Sequence, residues 1–241
     1  MKELNFVRLP LQTVENCRDL GGYPTYKGKQ TRWHIFLRSS SLDRISSEDL
    51  VLLLEYGVST ILDFRDENEI STSFSLNHHP KIDYYSIRYQ EEGIQDIAKT
   101  SERASELTLG AFYLQLLEQK ESILKMFKVL LNAEGAVIFN CTAGKDRTGV
   151  FAMLLLGLAG VSRKDILTNY QVSFTNLESL QRNIEKVMEL YDIKYLHSPV
   201  EEMAFAYDFL IEHYHSIDNY LRSCGLTTEE LDVLVKRFVY S

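Results

Sequence analysis

Cysteine is scarce in this chain. There are three, Cys17, Cys141 and Cys224, far apart and with no CxxC pair. That pattern excludes a disulfide framework and the paired-thiolate ligand sets of structural zinc sites, and it fits a reducing compartment. Proline is equally sparse: Pro10, Pro24, Pro80 and Pro199 stand singly, so no proline-rich linker divides the sequence. Long apolar runs are missing too. The longest, Val150 to Val161, suits a buried core helix and falls short of a membrane span. The opening residues MKELNFVRLPLQ lack the apolar stretch of a signal peptide. The expected location is therefore cytoplasmic, with export by a route that needs no signal peptide left open. Positive charge is in deficit, 26 Lys and Arg against 34 Asp and Glu, for a net charge of −8. Such a field does not favour nucleic acid or an anionic membrane, and a polyanionic substrate requires a locally positive pocket. His78 and His79 have no third ligand nearby in sequence, so no metal site is expected.

What is present is an ordinary globular composition, 45% hydrophobic and 25% charged over 241 residues, with no internal repeat. One unit spanning 1–241 is expected, its helical part covering about 162–241. The patterning predicts a strand at 32–40, and a helix from Ser46 to Tyr56 stopped by Gly57. Further strands are predicted at Val58–Phe64, Ile82–Arg88 and Ala136–Phe139. Phe112–Leu131 reads as one amphipathic helix, and a second helix starts at Thr148. The polar stretch 91–107 reads as a mobile or partly helical insertion. The tail predicts helical segments at 162–190, 200–222 and 227–239, the last opened by the capping pattern Thr227-Thr228-Glu229-Glu230. Strands alternating with helices give an α/β class with a mostly parallel central sheet and an added helical layer.

The chemistry concentrates in 140-NCTAGKDRTG-149, where a buried strand meets a buried helix. Cys141 and Arg147 enclose five residues, Thr142, Ala143, Gly144, Lys145 and Asp146. Five residues can wrap a half-circle with their amides turned inward where small side chains permit the curvature. The helix that follows adds its positive end. The product is a nest for a tetrahedral dianion, phosphate or sulfate, with Arg147 forked onto two oxygens. The same field favours thiolate at Cys141, since such surroundings bring cysteine from about 8.5 down to roughly 3.5–7.5. A thiolate beneath a phosphoryl group attacks in line, giving hydrolysis through a cysteinyl-phosphate with no metal or cofactor. Asp146 is the nearest candidate acid for the leaving oxygen and Asp63 the second. The Thr148 hydroxyl is placed to receive the departing sulfur. Lys145 reads as positive charge at the rim, favouring substrates with more than one phosphate.

Two rival readings compete. A lone cysteine at a strand end is commonly core packing, but the arginine six positions on and the strand–loop–helix setting argue against that. A nucleotide-binding Walker A loop needs Gly at 139 and Ser or Thr at 146, where this chain has Phe139 and Asp146.

CTAGKDRTG resembles the phosphate loop of the cysteine-dependent protein tyrosine phosphatases, CxxxxxR followed by Ser or Thr. GKDRTG is similar to the atypical bacterial branch that includes mycobacterial and listerial tyrosine and lipid phosphatases. NCRDLGGY at 16–23, FLRSSSL at 36–42, ILDFRDENE at 61–69 and YLRSCGLTTEEL at 220–231 extend the resemblance along the chain. It implies an α/β/α phosphatase fold. It also implies metal-independent activity on phosphotyrosine, with phosphoserine, phosphothreonine and phosphoinositides as further substrates. Carried over by position, Cys141 is the nucleophile, Arg147 binds phosphate and Asp146 is the acid. The branch lacks the Trp-Pro-Asp loop of ordinary tyrosine phosphatases, and here Trp33 is followed by His34.

Two positions depart from the family. Cys17 replaces a usual Phe and reads as a packing change, or as a resolving thiol for oxidised Cys141. Asn140 replaces a usual His that orders the loop; asparagine keeps hydrogen bonding but carries no charge. Asn140 is the one feature that suggests a phosphate-binding pseudophosphatase instead. Arg18 and Asp19 read as a buried pair or as pocket border. Arg65 reads as a second phosphate contact or as a surface partner of Asp66 or Glu67. Tyr84, Tyr85 and Tyr89 read as core or rim residues. Asn140→His is expected to extend iodoacetate inactivation to lower pH than in the wild type; an inactivation profile that stays put, or moves to higher pH, contradicts this reading.

Overall fold

The computed structural model describes residues 4–71, 75–89, 108–188 and 196–240; the segment read as an insertion at 91–107 lies outside them. Five strands form one sheet: β1 (Arg18–Asp19), β2 (Phe36–Ser39), β3 (Val58–Asp63), β4 (Asp83–Ser86) and β5 (Ala136–Asn140), in the order β1-β2-β5-β3-β4. Only the two-residue β1 runs antiparallel; the other pairs are parallel. The central β5 is buried at every residue. Its alternate side chains enter different clusters: Val137 and Phe139 face one layer, Ala136 and Ile138 the other. That is the period-two signature of a strand covered on both faces.

The first layer is thin: α1 (Ser47–Glu55) with the N-terminal residues Leu9 and Val14. The Ser46 side chain caps α1 by accepting from the Asp49 amide at 3.1 Å. The Asp49 carboxylate in turn accepts from the amides of Gln12 and Thr13, which ties the N-terminal segment down. The opposite layer holds α2 (Leu109–Glu118), α3 (Lys120–Asn132), α4 (Asp146–Leu158) and α5 (Arg163–Gln171). The short α6 (Glu178–Arg182) and α7 (Ile184–Met188) follow, then α8 (Val200–Tyr214), α9 (Ile217–Ser223) and α10 (Thr228–Phe238). Ten consecutive residues of α4, Arg147–Leu156, are buried, which explains the unbroken apolar run in the sequence. The capping box at Thr227 and Glu230 forms. Among the described residues no helix is long and apolar enough to cross a membrane.

Several expected elements are shorter or broken. The strand read at 32–40 begins only at Phe36, because His34 takes a left-handed turn (φ +62°) and gives its amide to Asp19 Oδ2 at 2.8 Å. The single helix read at Phe112–Leu131 is two, split at Gln119. The Leu117 carbonyl instead accepts the Tyr220 hydroxyl at 2.6 Å, a tertiary bond that replaces a helical one. The segment 200–222 breaks at His215, also left-handed at φ +65°. The tail at 162–190 divides into short helices joined by a 3-10 turn at Phe174–Asn176. The helix read from Thr148 starts two residues earlier, at Asp146.

In register, Ser39 of β2, Asn140 of β5 and Asp63 of β3 stand side by side at the carboxyl edge of the parallel strands. A crevice there is the usual ligand position in an open parallel sheet.

Candidate active site

Residues 141–145 curl over this edge before α4 begins. The carbonyls of residues 142–145 point outward, each held by the scaffold. The Ser41 amide donates to the Thr142 carbonyl at 3.0 Å. Asn16 Nδ2 donates to the Ala143 and Gly144 carbonyls at 3.1 and 2.9 Å. Arg38 Nη2 donates to the Gly144 and Lys145 carbonyls at 2.7 and 3.3 Å. With carbonyls turned out, the amides turn in: those of Thr142, Ala143, Gly144, Asp146 and Arg147 donate to no described residue. Orphaned amides around a loop at a helix N-terminus are the makings of an anion site. Gly144 is required at its position. Its φ is +64°, and a Cβ there would lie 2.2 Å from the Ser39 carbonyl oxygen.

Cys141 lies at the base of the loop, 3% exposed. The Thr148 hydroxyl is fully buried and bonded to no described residue. Asp146 opens α4 and accepts the Tyr113 hydroxyl on Oδ1 at 2.5 Å. Arg147 does not present its outer fork to the loop. Nη1 and Nη2 instead grip the two Glu69 oxygens at 2.7 Å each, and Nη2 also reaches the Thr142 hydroxyl at 3.4 Å, which leaves Nε, bonded to no described residue, for an oxyanion. The four residues that carry the sequence argument thus stand on this loop and the first turn of α4.

A family model described as a tyrosine phosphatase family matches residues 9–240. The chain belongs to the tyrosine phosphatase family. Among curated members, a tyrosine-protein phosphatase of Nostoc commune is 33% identical over 63% of this chain, and a candidate tyrosine-protein phosphatase of Cupriavidus necator is 32% identical over 73%. The chain spans 52% and 64% of the length of these two relatives. A crystal structure of a P. aeruginosa TpbA variant in complex with pTyr has 17% identity and a TM-score of 0.37 over 71% of this chain and 86% of that one, an overlap too loose to carry residue correspondences.

Within this family member, several expected contacts are arranged differently. Lys145 is buried rather than at the rim, with Nζ donating to the His197 carbonyl at 2.8 Å and lying 3.5 Å from Asp146 Oδ1. Arg65 is neither a surface residue nor a phosphate contact: it is buried and pairs with Asp63 and Asp43, both at 2.8 Å. Asp63 also accepts the Tyr84 hydroxyl at 3.2 Å, so both of its oxygens are engaged away from the loop. Tyr89 is core, while Tyr85 is exposed on the edge strand.

Arg18 and Asp19 brace the fold, but not as a pair, since neighbours on a strand face opposite ways. Arg18 donates to the Asn169 carbonyl and Ser173 hydroxyl, while Asp19 receives the Gly21 and His34 amides and the Tyr56 hydroxyl. Asn140 is fully buried, yet both atoms of its side-chain amide lack a hydrogen-bond partner among the described residues, contrary to the bonding expected of it. Cys17 sits in the cluster on the face of the sheet opposite Cys141, and burial pushes its thiol well up, conditions that oppose a resolving role.

Sequence reading missed three groups. Asn16 and Arg38 shape the loop, and both lie inside motifs quoted above without an assigned role. Arg38 and Arg18 share Asn169 and Ser173, are buried, and form no ion pair with a described residue. Burial lowers Arg38 to about 10, still protonated at neutral pH, so it remains a positive charge behind the loop. The third is Glu69. Its Oε1 also accepts the Thr142 hydroxyl at 2.8 Å, and its Oε2 the Asp66 amide at 3.0 Å. Burial opposes the Glu69 charge, but the Arg147 guanidinium outweighs it and holds the carboxyl at about 2.

A depressed folded-state value stabilises the fold above the unfolded carboxyl's pKa, near 4.3, and that stability fades as pH falls towards 2. Glu69→Gln should therefore cost up to ~3 kcal/mol in urea denaturation at pH 6 and progressively less below pH 4. A cost that does not vary with pH contradicts this.

Proposed function

We propose that the chain is a metal-independent phosphomonoesterase acting on phosphotyrosine through a cysteinyl-phosphate, and by the same chemistry on phosphoserine, phosphothreonine and phosphoinositides. The observation that carries the reading is the run of amides above Cys141 that donate to no described residue, with Arg147 at its end.

The inward amides and the Nε edge of Arg147 bind the three non-bridging oxygens, leaving the ester oxygen opposite the sulfur. Cys141 Sγ attacks phosphorus; the S–P bond forms as the P–O ester bond breaks. Asp146 gives its proton to the departing oxygen. Water then attacks phosphorus, Asp146 takes its proton, and the S–P bond breaks to release phosphate and thiolate. The buried Thr148 hydroxyl has its hydrogen available for that departing sulfur. Asp146 is preferred to Asp63 as the acid because Asp63 is committed to Arg65 and Tyr84. The thiolate supplies the nucleophile, so the chemistry asks for no metal-bound hydroxide.

Turnover of 4-nitrophenyl phosphate should persist in excess EDTA and fall by a factor on the order of 10³ or more in Cys141→Ser. Undiminished turnover in that variant sinks the mechanism. Phosphopeptide binding without turnover by the wild type marks a pseudophosphatase. A panel of phosphotyrosine, phosphoserine and phosphothreonine peptides beside soluble phosphoinositides measures the breadth proposed.

A further inference from the structure

The proton donor of the reaction sits at the end of a buried chain of two phenols, which no part of the loop motif requires. Tyr113 on α2 donates to Asp146 Oδ1 at 2.5 Å, and its oxygen lies 2.6 Å from the Tyr170 hydroxyl on α5. The two rings meet edge to face at 5.9 Å. Both phenols are essentially unexposed. Burial first, and then the nearby Asp146 charge, push both well above the ordinary phenol range, so each keeps its hydrogen at any working pH. A phenol has one hydrogen. With Tyr113 spending its own on Asp146, Tyr170 must be the donor between the two. The chain therefore runs one way, from Tyr170 to Tyr113 to Asp146.

We propose that Tyr113, backed by Tyr170, is a positioning residue that fixes which oxygen of Asp146 carries the catalytic proton. The inference rests on Asp146 being the acid. Oδ1 is occupied by the Tyr113 donor and lies 3.5 Å from Lys145 Nζ, while Oδ2 bonds to no described residue. The proton of the acid form is thus confined to Oδ2. It also meets a leaving oxygen in a fixed orientation, whereas the terminal torsion of an unheld carboxyl is broad and two-fold.

Two further features of the fold bear on this contact. Gly149, one turn beyond Asp146 on α4, lets the Tyr170 ring lie against the helix: a Cβ there would meet Tyr170 Cδ2 at 3.0 Å and Met203 Cε at 3.3 Å. At the start of α2 the Gly110 amide donates to Glu202 Oε2 at 2.5 Å, which anchors the helix carrying Tyr113 to α8.

The test is a leaving-group series. kcat/KM is measured for aryl phosphates running from 4-nitrophenyl to phenyl phosphate and phosphotyrosine, in wild type, Tyr113→Phe, Tyr170→Phe and Asp146→Asn, with each Tm recorded. Asp146→Asn should lose activity more steeply as the leaving phenol becomes more basic. Tyr113→Phe should show the same tilt at smaller amplitude: about tenfold on phenyl phosphate and under about threefold on 4-nitrophenyl phosphate, as befits partial loss of an acid worth 10²–10⁴. Tyr170→Phe, which keeps the Tyr113 donor, should tilt less. A loss uniform across the series in Tyr113→Phe, with Asp146→Asn still tilted, overturns the relay alone. A uniform loss in Asp146→Asn overturns the acid assignment beneath it. If Tyr113→Phe proves too unstable to assay, Tyr170→Phe takes its place: it must show its smaller tilt in the same direction, or the relay falls.

Discussion

A peptide loop turns its amides inward only if something holds its carbonyls outward. In this chain that hold is exerted by three donors from the first forty-one residues: the Asn16 side chain, the Arg38 guanidinium and the Ser41 amide. The left-handed backbone at Gly144 favours glycine, and the Ser39 carbonyl closes the space a side chain would need, so the loop keeps this close approach only with glycine there. Cys141, Arg147 and the start of α4 take their positions from that shape.

The electrostatics follow from it. The protein is acidic as a whole, yet Arg38, Arg18 and Arg147 gather under and around the loop. Among the described residues only Arg147 has a carboxylate partner, Glu69, and that contact takes the outer face of the guanidinium while sparing Nε. Glu69 thus aligns Arg147 without neutralising the inward edge, in the manner of a second-layer partner that orients a binding group. The two guanidiniums behind the loop carry buried charge with no carboxylate partner among the described residues. Where the family commonly has histidine, this chain has an uncharged Asn140, and the remaining positive field on Cys141 comes from the amides, α4 and these arginines.

What the sequence made legible was local. The cysteine-to-arginine spacing, the glycine and the strand–loop–helix setting lie within ten residues, and their geometry is set by short-range rules. The alternation in β5 and the unbroken apolar run of α4 were equally plain, because burial on every side leaves only apolar residues. What escaped was long-range. Asn16 and Arg38 meet the loop more than a hundred residues away, Glu69 meets Arg147 across 78, and Tyr113 meets Asp146 across 33. Helix breaks at Gln119 and His215 were hidden for the same reason: local propensity cannot see that the Leu117 carbonyl will find the Tyr220 hydroxyl. Arg65 misled because its sequence neighbours Asp66 and Glu67 looked like partners, while its actual pairs are Asp63 and the distant Asp43.

The central claim is that carbonyls held from outside create the oxyanion site, and tungstate binding to Asn16→Gly measured by calorimetry tests it most directly. Glycine removes two bonds to the loop while tolerating the left-handed backbone of residue 16 (φ +56°) and leaving Cys141 and Arg147 untouched. Two hydrogen bonds of roughly 1 kcal/mol each predict tungstate affinity weakened by about tenfold or more. Wild-type affinity in the folded variant would mean that the loop holds its shape without this support, contradicting the account.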